Sequence, residues 1–216
     1  VGQYRRTFTI ESQWKGKDVF LHIGSATSNV RVWVNGKEVG YSEDSKLEAR
    51  FDITKYIKEG ENLIALEIFR WCDGTYLEDQ DFFRFSGLAR DTYIYTREKK
   101  RLENVNVTGS ASGEAALYAE VTKGVSSVSF TIFDPSGKEV ASTTSHVNVK
   151  NLSDNGLPCV ETSLQVQDVR QWTAETPWLY TLKVASYDKK GVMTESTAIQ
   201  MGFRDVEIVD GQLLVN

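Results

Sequence analysis

Between residues 70 and 87 the chain reads RWCDGTYLEDQDFFRFSG, which sets the carboxylates Asp73, Glu78, Asp79 and Asp81 among Trp71, Tyr76, Phe82, Phe83 and Phe85, with Arg70 and Arg84 toward the ends. Acidic groups this close in sequence could serve as a catalytic acid and base, bind a hard cation, or accept hydrogen bonds from hydroxyl groups. Acid–base catalysis needs two carboxyl groups whose surroundings push their pKa values apart. On an extended segment Asp79 and Asp81 share a side while Glu78 points away, and nothing apolar or basic is placed to separate them. Catalysis by this stretch alone is therefore set aside. Cation binding fits the residue type, because alkali and alkaline-earth ions prefer oxygen donors. The ordinary reading is a solvated loop. In that reading Asp73-Gly74 makes a turn, and Arg70, Arg84 and Arg90 pair with Glu78, Asp79 and Asp91 through bidentate contacts that stiffen it. The five rings would anchor it on a neighbouring surface.

The elements that must carry such a loop are all β. Period-two alternation runs along nearly the whole sequence, without sustained helical periodicity. It predicts strands over residues 4–10, 18–24, 29–34, 37–41, 47–53, 62–71 and 91–97. A second set follows over 103–108, 115–122, 126–133, 138–148, 159–166, 178–187 and 192–203. Asn35-Gly36 between VRVWV and KEVG is a two-residue type I′ hairpin signal, because both turn positions need positive φ. Asp134-Pro135-Ser136-Gly137 marks a second tight turn, with proline pre-setting φ. The run NLIALEIF over 62–69 is apolar on both faces, as a strand covered on each side would be. The basic run REKKR at 97–101 reads as a solvated linker dividing two halves. Strands every 8–12 residues in the second half resemble an immunoglobulin-like sandwich.

Composition narrows the function. A net charge of −5 over 216 residues leaves no basic stripe for phosphates, so no nucleic-acid partner is expected. No stretch reaches the ~20 apolar residues of a membrane helix, and the chain opens directly on strand-like residues instead of a signal peptide. Cys72 and Cys159 are too few and too far apart for a disulfide scaffold, and unpaired thiols fit a reducing interior. His22 and His146 have no partner at zinc spacing.

Four stretches carry a resemblance: NGKEVGYSEDSKLEARFDIT at 35–54, ENLIALEIFRWCDGTYLEDQDFFRFSGLARDTYIY at 61–95, WTAETPWLY at 172–180 and GFRDVEI at 202–208. Together they resemble the bacterial β-galactosidases of glycoside hydrolase family 2, and the long RW-x-DG-x-YLEDQD match is the most specific part. The resemblance implies an all-β chain of two β-sandwich domains. A jelly-roll, galactose-binding-like domain would cover 1–98 and an immunoglobulin-like sandwich 99–204, with 205–216 as the start of the linker into a TIM barrel. That barrel, at ~250 residues, would hold the catalytic glutamates of a retaining glycosidase and a magnesium ion. This segment would be inactive alone.

The resemblance also implies a role for Asp81, the last aspartate of DQD, as a ligand for sodium and an acceptor for the galactose 6-hydroxyl. The remaining ligands would come from the barrel, so this segment would bind no cofactor tightly by itself. Arg70, Trp71, Asp73, Glu78, Asp79, Arg84 and Arg90 would then support the loop. Expected partners of the intact protein are a galactoside, its own barrel in cis and further copies in a homo-oligomer. Trp14, Trp33, Trp172 and Trp178 could offer rings to sugars, but packing is the plainer role. Arg204 is expected in an interdomain ion pair, and the first sandwich is expected to show an open edge able to pair with another molecule. The competing function class is a stand-alone carbohydrate-binding or adhesin-like sandwich, since fold does not dictate function.

Overall fold

The computed structural model describes Val1 to Asn216 except residues 79, 80, 82 and 84. Its contacts divide the chain into two units, Val1–Lys99 and Lys100–Asn216. Both are built from antiparallel strands, and the 3₁₀ turns Ser12–Trp14 and Asp73–Tyr76 are the helical elements among the described residues.

In the first unit the strands are β1 (Gly2–Ile10), β2 (Asp18–Ile23), β3 (Ala26–Thr27), β4 (Asn29–Val34), β5 (Lys37–Glu43), β6 (Ala49–Asp52), β7 (Gly60–Phe69), β8 (Gly87–Leu88) and β9 (Thr92–Arg97). One sheet runs β1-β7-β4-β5 and the other β6-β2-β9, with β3 and β8 as a short pair. Alternation puts Val30, Val32 and Val34 of β4 and Ile64, Leu66 and Ile68 of β7 on one face, against Val19, Leu21 and Ile23 of β2. β7 is central in its sheet, as its apolar run implied, but only that face is buried: Leu63 on the other side is 40% exposed. The run is continuous because Leu63 and Ala65 fill outward positions that, among the described residues, no second layer covers.

The Asn35-Gly36 turn forms with φ of 51° and 79° and joins β4 to β5 at the Val34–Lys37 pair. Asn35 does more than turn the chain. Its Nδ2 donates to Tyr56 O at 2.9 Å and to Asn62 Oδ1 at 2.8 Å, and its Oδ1 accepts from Leu63 N at 3.0 Å. Asn62 is buried and in turn accepts from Lys58 N and donates to Lys58 O and Gly60 O, so the turn and the 56–62 loop form one satisfied network.

One side of this sandwich is open. β1 and β9 are the edges of their sheets, and a cleft of about 830 Å³ lies between them. Register places Tyr4 opposite Leu66 and Arg6 opposite Ile64, on the core face of β1, yet both side chains remain exposed. No described strand lies opposite them, because the facing sheet ends at β9.

The second unit comprises β10 (Leu102–Gly109), β11 (Glu114–Val121), β12 (Val125–Phe133), β13 (Glu139–His146), β14 (Cys159–Gln165), β15 (Tyr180–Asp188), β16 (Met193–Met201), β17 (Val206–Val209) and β18 (Gln212–Val215). Sheets β10-β11-β14 and β13-β12-β15-β16 enclose Leu117, Ala119 and Val160 against Val128, Phe130, Ile132, Leu182 and Val184. Two tight turns use one device. Asp134 Oδ1 accepts from the backbone N–H of Ser136 and Lys138, and Asp188 Oδ1 from those of Lys190 and Val192, with Gly137 and Gly191 at positive φ. The Ser136 hydroxyl, foremost, holds the Asp134 carboxyl below its ordinary range, and the Lys190 and Val192 amides do so for Asp188.

Gly109 and Gly202 approach so closely that a Cβ on Gly109 would lie 2.8 Å from Gly202 O, and one on Gly202 would lie 2.8 Å from the Cβ of Trp172. Residues 205–216 carry strands of their own. They form the hairpin β17–β18, closed by Asp210 and Gly211 at φ of 50° and 77°, the same two-residue turn chemistry as Asn35-Gly36.

Candidate functional site

The acidic stretch leaves β7 at Arg70 and is pinned from beneath by small hydroxyl side chains. Buried Ser28 donates its hydroxyl to Arg70 O at 2.6 Å, and buried Thr75 donates to Ser28 Oγ at 3.0 Å while accepting from Cys72 N at 3.0 Å. The expected turn at Asp73-Gly74 is the first half of the 3₁₀ turn, closed by Leu77 N to Gly74 O at 3.0 Å and Glu78 N to Gly74 O at 3.1 Å.

Glu78 is clamped by a serine. Its carboxylate accepts from Ser45 N at 2.9 Å and from Ser45 Oγ at 2.5 Å, and Ser45 is buried, its carbonyl taking a further bond from Ser25 Oγ at 2.8 Å. Of the three arginines expected as clamps, the two described ones act differently. Arg90 donates to Lys46 O at 2.6 Å instead of to a carboxylate, and Arg70 lies over the Trp71 ring with its guanidinium carbon 5.3 Å from the centroid. Among the described residues neither makes an ion pair. Both substitutes follow from exposure, where a ring face or a carbonyl competes well with a solvated carboxylate. Asp79, Phe82 and Arg84, also expected in the loop's support, lie outside the described residues.

Asp81 is exposed, and no described residue holds its carboxylate. The described rings around it do not pack on the sandwich as anchors: Tyr76 is 87% exposed and Phe83 80%, and Phe83 stacks on Phe85 at 5.5 Å. The loop thus offers a carboxylate and a band of aromatic surface to solvent from a rigid base.

A second donor group, not evident from the sequence, lies at that base. Glu43, Cys72 and Asp73 each place a potential ligand atom within 4.8 Å of the others, and a Cβ on Gly74 would lie 2.8 Å from Glu43 Oε2. Tyr41 donates its hydroxyl to Glu43, and burial together with that carboxylate pushes the phenol's pKa up. Two carboxylates and a thiol could hold a divalent cation. Glu43 ends β5 thirty residues before Asp73, so no local spacing signals the group.

Trp14 packs against the core of the first unit and Trp178 against that of the second. Arg170 lies 4.1 Å over Trp178, and Arg204 lies 4.7 Å over Trp172.

Comparison with known proteins follows the same division. Residues 1–98 match the model described as glycosyl hydrolases family 2, sugar binding domain, and residues 89–204 match glycosyl hydrolases family 2. The chain belongs to glycoside hydrolase family 2. All of this family 2 chain aligns with a β-galactosidase of Priestia megaterium at 37% identity and with one of Alteromonas mediterranea at 35%. It spans 22% and 21% of their lengths. Among solved structures, a β-glucuronidase of Lactobacillus rhamnosus superposes on 99% of the chain with a TM-score of 0.80 at 24% identity, over 37% of that protein. A β-D-glucuronidase of Dictyoglomus thermophilum gives 0.78 at 22% identity, over 38% of that protein. At these identities the likeness concerns fold: two consecutive β-sandwich domains, as family 2 members carry. The acidic loop falls within the part matched to the sugar binding domain.

Proposed function

We propose that this chain is the non-catalytic portion of a β-galactosidase that hydrolyses terminal β-D-galactosides, with Asp81 as its contribution to the pocket. The supporting observation is that the whole of this chain, including the loop that presents Asp81, aligns with 22% and 21% of the length of two β-galactosidases at 37% and 35% identity. Retaining hydrolysis needs two carboxyl groups about 5 Å apart across the glycosidic bond. That pair belongs to a catalytic barrel beyond these residues, which would also hold magnesium.

Asp81 suits a rim role. Its loop is fixed at Ser28 and at Ser45, while its carboxylate stays open to solvent. A carboxylate is a hard donor fit for sodium, but one such group is not a site, and further oxygens would come from the barrel. Bound sodium would balance the charge of Asp81. The carboxylate itself would orient the sugar by accepting its 6-hydroxyl proton, a hydrogen bond strengthened by charge.

The test is Asp81→Asn in the full-length protein, with galactoside hydrolysis followed against sodium concentration. Loss of one charged hydrogen bond predicts a roughly tenfold or greater fall in kcat/KM, together with a weakened sodium response. An unchanged rate with an unchanged sodium response would remove Asp81 from the pocket.

A further inference from the structure

The hairpin β17–β18 turns one wholly apolar face to solvent. Cross-strand register pairs Val206 with Val215 and Ile208 with Leu213 on that face, and Glu207 with Leu214 and Val209 with Gln212 on the other. The four apolar side chains are 52%, 46%, 78% and 69% exposed in that order. A two-stranded ribbon is marginal in water without a packed face, so this one is built for a cover.

Its base is held firmly. Ala111 N donates to Asp205 Oδ1 at 2.9 Å, Asp205 N to Asn216 Oδ1 at 3.0 Å, Asn216 N to Asp205 O at 3.1 Å, and Asn216 Nδ2 to Trp172 O at 2.8 Å. These bonds fix the ribbon at its root while its apolar pairs project. A loose linker would not return Asn216 to the start of the hairpin.

We infer that this face docks on the polypeptide that follows Asn216 in the full-length protein, as an arm gripping an apolar surface of the catalytic portion. The inference rests on the reading of the chain as part of a longer β-galactosidase. Two observations choose that occupant. Asn216 lies against Asp205, so a following chain leaves beside the Val206–Val215 pair and reaches the face over a short path. The relatives are several times longer than this chain, which spans 22% of one of them. A second copy is the poorer occupant, because four side chains fall well short of the ~800 Å² per partner of a stable interface.

Hydrogen exchange of residues 206–215 tests the docking, compared between the 216-residue chain and the full-length protein. The expected result is exchange at least ~100-fold slower in the full-length protein. The double substitution Ile208→Asp with Leu213→Asp should abolish that protection, and Gln212→Asp on the opposite face should leave it. Equal exchange in both proteins overturns the docking even if the full-length protein hydrolyses galactosides. Protection without galactosidase activity upholds the docking and removes the functional reading instead. Protection that rises with concentration in the 216-residue chain assigns the face to a second copy and overturns the proposal.

Discussion

The two sandwiches are written in the same alternating code yet close differently. In the second, Phe130, Ile132, Leu182 and Val184 are fully shielded, and a cleft of about 900 Å³ at the β10 and β16 edges is lined by apolar Val105, Val107, Ile199 and Met201. In the first, the sheets part at β1 and β9 around a cleft of about 830 Å³, where Leu66 and Ile94 reach the lining and Tyr4 and Arg6 stand on a core face without cover. Alternation therefore specifies which side of a strand is apolar. It does not specify whether the opposite layer extends far enough to cover it.

The contrast is sharpened most by one substitution made in both places. Leu182→Ala removes a side chain with neighbours on every side and should cost about 4 to 5 kcal/mol, whereas Leu66→Ala borders a cleft already open to water and should cost about 2 to 3 kcal/mol. Hydrogen exchange of core amides in each unit reads the two free energies separately. Equal costs would mean that the first sandwich is as tightly closed as the second.

A smaller effect is expected at the loop that the open sandwich carries. Ser45→Ala deletes one of the bonds to Glu78 and should weaken the local closure by about 1 to 2 kcal/mol. Limited proteolysis between residues 70 and 85 should quicken while cleavage in the second unit stays constant. Unaltered cleavage would show that Glu78 does not restrain the loop.

The smallest concerns the closed sandwich. Burial, and then the hydrogen bond to buried Glu120 at 2.9 Å, push the Tyr118 phenol up to about 12. The folded state favours the neutral phenol, so its contribution is whole below the ordinary value of about 10 and fades as pH rises from there through about 12. Tyr118→Phe should flatten that part of the stability curve relative to the parent chain. Superimposable curves would dismiss the effect.

The legible parts of the molecule were those governed by neighbours in sequence. Asn35-Gly36 and Asp134-Pro135-Ser136-Gly137 each place a turn because a particular φ or side-chain acceptor is required there. The two units divide after Lys99, inside the basic run at 97–101, and Asp81 is exposed. What escaped depends on distant partners. Glu43 meets Cys72 and Asp73 only because β5 ends beside the 3₁₀ turn, and Glu78 accepts hydrogen bonds from Ser45, thirty-three residues away. The hairpin over 206–215 is not among the predicted strands, although Asp210-Gly211 carries the same signal as Asn35-Gly36.

The contact between Gly109 and Gly202 limits how this chain can drift. Carbonyl and indole atoms fill the space a methyl group would take at either position, so a random library should return glycine at both, whatever the neighbouring strands accept. Trp172 closes over Gly202 and also receives the Asn216 amide, so the root of the apolar arm and the most crowded point of the second sandwich would vary together or not at all.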